Sequence, residues 1–147
     1  MYSSIVVGTD GSETASQAVQ QAIDLAGALG ARVDFVSAYE PVAGSRLREE
    51  SQQVPDDLSW MVNPREDVDA TLAKAAKQAE SAGIKCQVYA RQGDPADAIL
   101  DVAEEQGADL IIVGNKGMTG AKRFLLGSVP NKISHHAPCN VLIIRTT

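Results

Sequence analysis

Aromatic side chains are scarce in this chain of 147 residues: two phenylalanines, three tyrosines and one tryptophan make up 4% of it. The hydrophobic fraction of 44% is ordinary for a globular protein, so valine, isoleucine, leucine and alanine must fill the core. Cysteine is scarce too. Cys86 and Cys139 stand alone in strand-like segments, which excludes a CxxC pair or a disulfide framework and reads as two buried reduced thiols. No apolar run approaches the roughly 18 residues of a membrane span, and the N-terminal MYSSIVVGTD lacks the basic region of a secretory leader. The expected location is therefore the cytoplasm. Bases are outnumbered by acids, 13 to 19, and the net charge of −6 argues against a general nucleic-acid or anionic-membrane surface.

Three signatures are also missing. There is no GxGxxG after the first strand-like run and no GxxxxGK[ST] anywhere, so the dinucleotide fingerprint and the Walker A loop are excluded. Asp10 stands alone after that run, where a receiver-type phosphoacceptor site would want clustered acids. A flavodoxin-like module stays open on topology alone, because fold does not imply function.

What the chain does have is a glycine-framed stretch from Ala108 to Val129, ADLIIVGNKGMTGAKRFLLGSV. Leu110, Ile111, Ile112 and Val113 form a run too short for a helix and rich in β-branched residues, which reads as a buried strand. Gly114 ends it, and the spacing G-x2-G-x9-G-S follows through Gly117, Gly127 and Ser128. Val129, Ile133 and Ala137 then recur every fourth residue, which suits a short helix with Ser128 as its N-cap. Backbone N–H groups in a glycine-rich loop beside a helix N-terminus form an anion site suited to phosphate. Lys116, Lys122 and Arg123 fall inside that loop with no acid among them. They fit either a polyphosphate or a solvated loop.

The rest of the chain alternates strand and helix. Ser4–Thr9 is a strand, and Gly8-Thr9-Asp10-Gly11-Ser12 turns out of it, with Ser12 placed as a helix N-cap. Ala15, Ala18, Val19, Ala22, Ile23, Ala26 and Leu29 recur at helical spacing until Gly30 stops them. Arg32–Ala38 is a second strand, whose Arg32, Asp34 and Ser37 imply partial exposure. Residues 40 to 62 carry no clear pattern, although LREESQQ suits a short helix; a connection this long in a compact domain is commonly functional or disordered. Asn63, Pro64 and Glu66 open a helix in capping-box style, with Val68, Leu72, Ala75, Ala76 and Ala79 as its stripe and Gly83 as its end. Ile84–Arg91 is a third strand. Asp94 and Pro95 open the next helix, Ala98, Ile99, Val102 and Ala103 line it, and Gly107 closes it. Asn140–Arg145, NVLIIR, is the fifth strand.

This order implies an α/β protein with a doubly wound, five-stranded parallel sheet, which binds ligands at the strand C-termini where strand order reverses. His135 and His136 point about 100° apart on a helix and read as structural, since neither can easily share an ion with the other.

The glycine pattern with its flanking strand and helix resembles the ATP-binding branch of the universal stress protein family, and the likeness covers residues 1–147 as one domain. The resemblance implies a Rossmann-like, adenine nucleotide alpha hydrolase-like sheet of order 3-2-1-4-5, which sets Asp10 beside Gly114. It implies ATP and Mg²⁺ as cofactors: Gly114, Gly117, Gly127, Ser128 and Val129 around phosphates and ribose, with Lys116 beside Gly117. Gly8 and Thr9 lead to Asp10, which reaches the phosphates through the metal, because direct contact would repel; its alternative role is a turn residue. A backbone group at Ala38 reads the adenine, and Val113 packs on the base. Family members often carry other residues at Asn115-Lys116, a histidine at 116 among them. The implied function is a nucleotide-dependent sensor or regulator, homodimeric through its last strand, with at most slow ATP hydrolysis. The alternatives are a nucleotide-free dimeric module, a slow hydrolase and a cyclic-AMP-binding protein.

Overall fold

Two aliphatic runs at the centre of the sheet decide its architecture. Ser4–Gly8 (β1) and Leu110–Gly114 (β4) are each buried along their first four residues, as strands covered on both faces must be. A computed structural model describes residues 2–39, 65–115 and 128–146. Besides β1 and β4 it contains Glu13–Leu29 (α1), Arg32–Tyr39 (β2), Arg65–Ser81 (α2), Cys86–Gln92 (β3), Pro95–Gln106 (α3), Ser128–His136 (α4) and Asn140–Ile144 (β5). The strands are parallel throughout and lie in the order β3-β2-β1-β4-β5.

Local chemistry sets the helix ends. Ser12 is extended at ψ 163° and accepts from the Ala15 N–H at 3.1 Å, while Asp94 does the same for Asp97 at 3.0 Å with Pro95 following. At the other ends Gly30 and Gly107 take φ values of 68° and 61°, a left-handed turn that closes each helix and favours glycine.

The helices cover both faces. Ile5, Val7, Val33, Phe35, Leu110 and Ile112 pack under the stripes of α1 and α2, whereas Val6, Val36, Ala38, Ile111 and Val113 pack under α3 and α4. Phe35 is the one aromatic among the largest fully buried side chains of the described residues, so the core is aliphatic as the composition required.

Several expectations are corrected. Arg32 is exposed, but Asp34 and Ser37 retain only 2% and 6% of their surface, because β2 lies inside the sheet with β1 and β3 on its sides. Ser128 is the first helical residue instead of the cap, and Cys86 and Cys139 are free but only half-buried. β3 begins at Cys86, after Ile84 has closed the turn on Ala79 O, and β5 ends at Ile144. The Asn63-Pro64 cap and the LREESQQ segment lie outside the described residues.

Two carboxylates act on stability in opposite directions. Asp34 Oδ2 is buried with no hydrogen-bond partner among the described residues; burial raises its pKa, and Arg32 only partly offsets this. Asp109 ties the start of β4 to that of β1, accepting from Ser3 N–H, Ser3 Oγ and Ser4 N–H at 3.0, 3.2 and 3.2 Å. Burial works to raise its pKa, but those hydrogen bonds outweigh it and hold the group below 3.8. Its contribution is therefore complete above the ordinary carboxylate range and drains away as pH falls through the folded value. Asp109→Asn is expected to lower stability at pH 7 by about 1–2 kcal/mol, with the deficit shrinking in acid. Asp34→Val is expected to raise stability at pH 7. That gain shrinks as pH falls through the raised pKa of Asp34, where the parent becomes neutral. Urea midpoints measured from pH 7 to pH 3 check both signs.

Candidate functional site

Parallel neighbours β1 and β4 send their following helices to opposite faces: α1 packs with the Ile5–Val7 side and α4 with the Val6–Val113 side. The chain therefore parts at the C-terminal ends of these two strands, and a cleft opens there. Gly8, Thr9 and Asp10 enter it from β1, Val36, Ser37 and Ala38 from β2, and Val113 and Gly114 from β4. The first turns of α3 and α4 complete the wall with Pro95, Ile99, Val129 and Pro130.

Of the expected site residues, Gly8, Thr9, Asp10, Ala38, Val113, Gly114 and Val129 line this one cleft, across more than a hundred residues of sequence. Ser128 precedes Val129 at the start of α4 and is exposed. Lys116, Gly117 and Gly127 lie outside the described residues. Ala15, Pro95, Ile99 and Pro130 also line the cleft, and the sequence pattern had assigned them only to helices. A signal was available for α3: Asp94-Pro95 follows a parallel strand, and every such strand-to-helix turn opens at the same edge of the sheet.

The geometry of Asp10 supports its role as a turn residue. Its Oδ1 accepts from the Ser12 N–H at 2.9 Å, so one oxygen shapes the turn. No partner of Oδ2 is found among the described residues. The described residues hold no cluster of three potential metal ligands. A single carboxylate still fits Mg²⁺ when phosphates and water supply the other ligands. Thr9 closes the strand end by donating its N–H to Val36 O at 3.0 Å, and its Oγ1 accepts from Gly11 N–H at 3.4 Å.

Close packing restricts what position 8 can hold. A Cβ there would collide with Ile99 Cδ1 and approach Val113 Cγ1 to 3.4 Å. Gly8→Val is expected to cost about 1–3 kcal/mol through overpacking and to push Ile99 into the cleft. Denaturant unfolding checks the first effect; parental stability would mean that Ile99 swings aside freely.

A sequence profile of the universal stress protein family matches residues 1–145. Universal stress protein Rv1636 of Mycobacterium tuberculosis is 38% identical over 151 residues, spanning 99% of this chain and 98% of that protein. Among solved structures, a universal stress protein in complex with cAMP superposes with a TM-score of 0.74 at 33% identity, covering 99% of both chains. The universal stress protein from Archaeoglobus fulgidus in complex with dAMP gives 0.65 at 26%, covering 97% of this chain and 98% of that one. The profile match spans nearly the whole chain, and the parallel sheet and its cleft agree with it: this chain belongs to the universal stress protein family.

Proposed function

We propose that the cleft binds ATP with Mg²⁺ and that the protein is a nucleotide-dependent sensor or regulator in the stress response. The observation that carries this reading is the convergence of Gly8, Thr9, Asp10, Ala38, Val113, Gly114 and Val129 on one cleft at the β1–β4 edge. Relatives whose structures are complexes with cAMP and dAMP support an adenine nucleotide as the ligand. The base lies between Val113 and the end of β2, where the Ala38 backbone reads its edge. Gly114, Gly117, Gly127, Ser128 and Val129 hold ribose and phosphates, Lys116 adds charge, and Asp10 engages the phosphates through Mg²⁺. The chain acts as one domain over residues 1–147, in the cytoplasm. Binding rather than turnover is its task. His135 and His136 stand in the last turn of α4, far along the helix from its cleft-lining first turn, and Asp10 is engaged by the turn and the metal.

Affinity is expected to fall from ATP to ADP to AMP, most steeply when Mg²⁺ is present. Each charge-assisted bond made only to an outer phosphate contributes on the order of 1.5–3 kcal/mol, or about 10- to 150-fold. Isothermal calorimetry decides the order. Cyclic AMP binding as tightly as Mg-ATP would replace this reading with the cyclic-nucleotide one that the 33% identical relative suggests.

The protein also acts as a homodimer through β5. That strand ends the sheet, and Leu142 remains 38% exposed on it, so antiparallel pairing across a twofold axis would satisfy its bare edge. Ile143 packs into the core, which makes Leu142 the cleaner probe. Sedimentation is expected to show a dimer at micromolar concentrations and Leu142→Lys to shift it toward monomer; a monomeric parent refutes the pairing.

A further inference from the structure

The two helices that wall the cleft are tied by one ammonium group. Lys132 of α4 places Nζ 2.8 Å from Asp97 Oδ1 and 3.3 Å from Asp94 Oδ2, both on the opening turn of α3. The same Asp94 oxygen accepts the Asp97 N–H at 3.0 Å, so the cap of α3 and the tie to α4 share an atom. Pro95 and Ile99 line the cleft beside this cap, and Val129 and Pro130 line it just before Lys132. Pro130 and Ile133 are buried and hold α4 onto the sheet. Apolar contact is non-directional, however, and does not by itself set how α4 sits along α3. The ion triad supplies a directional constraint at that point.

We propose that Lys132 is a positioning residue of the nucleotide site: bridging to Asp94 and Asp97, it fixes the first turn of α4 against α3 at the spacing the ligand needs. The inference rests on the nucleotide reading of the cleft. It also predicts a sign that simple electrostatics does not. Removing an acid near a polyphosphate should tighten binding if only the field mattered. If the bridge positions α4, Asp97→Asn weakens binding instead.

Calorimetry with Mg-ATP on the full chain tests this. Asp97→Asn and Lys132→Met are each expected to weaken binding about two- to fivefold, the scale of an exposed ion pair. The double variant is expected to be no weaker than the worse single one, and Lys132→Arg to stay near the parent. Tighter or unchanged binding in Asp97→Asn, or fully additive losses, overturns the proposal. Amide hydrogen exchange of α4 in ligand-free protein separates it from the nucleotide reading. Exchange should rise in both single variants and no further in the double. Unchanged exchange overturns the bridge even where Mg-ATP binds, and a parent that binds no adenine nucleotide overturns the site reading even where exchange responds.

Discussion

Everything that matters for the site depends on the parallel pairing of β1 with β4. Ile5 faces Leu110, Val6 faces Ile111 and Val7 faces Ile112, and all six are at most 2% exposed. Their side chains alternate between two separate apolar layers, so a one-residue slip of either strand would turn its three to the wrong face. The polar groups at the strand starts reinforce the register. Asp109 donates its N–H to Ser4 O at 3.0 Å while its carboxylate takes the Ser3 and Ser4 amides. With the register set at one end, Gly8 and Gly114 must end their strands side by side at the other.

Much of this arrangement was legible in the residues because it rests on local chemistry. Glycines at positions 30 and 107 and the Ser12 and Asp94 caps are read within a few residues, and the helical stripes within a few turns. The strand order needed the family resemblance, since nothing local to SIVVG states which of four other strands will lie beside it. Once β1 and β4 are adjacent, the convergence of Asp10 with Gly114 follows from parallel pairing alone.

The unreadable parts share a different cause. Asp34 suggested a partly exposed strand because its chemistry prefers water, but β2 is flanked on both sides and covered by α3. Tertiary burial overrode the side chain's own preference, and an Oδ2 with no partner among the described residues is the visible result. Pro95 was recognised as a helix start and Ile99 as a core residue, yet their place on the cleft wall depends on α3 crossing back over the centre of the sheet. The Lys132 bridge spans two helices and joins residues 35 and 38 positions apart. No periodicity reports such a pair.

Charge poses the last problem for a phosphate ligand. The chain carries a net charge of −6; Asp10 lines the cleft, and Asp94 and Asp97 flank the cleft-lining Pro95. Lys132 is shared by Asp94 and Asp97 and offsets only one of the three charges, which leaves a net of two negative charges. The framework of the cleft therefore offers an anion no long-range attraction, and at physiological salt surface charges are screened beyond about 8 Å in any case. Affinity for phosphate has to be a short-range property. In the proposed nucleotide reading it would come from N–H groups that touch the oxygens, from Mg²⁺ at Asp10, and from Lys116, Lys122 and Arg123 in the same stretch of sequence. Direct contact by backbone amides requires that no side chain stand in the way. In an acidic chain, then, the glycines of G-x2-G-x9-G-S carry more information about the ligand than the formal charge does.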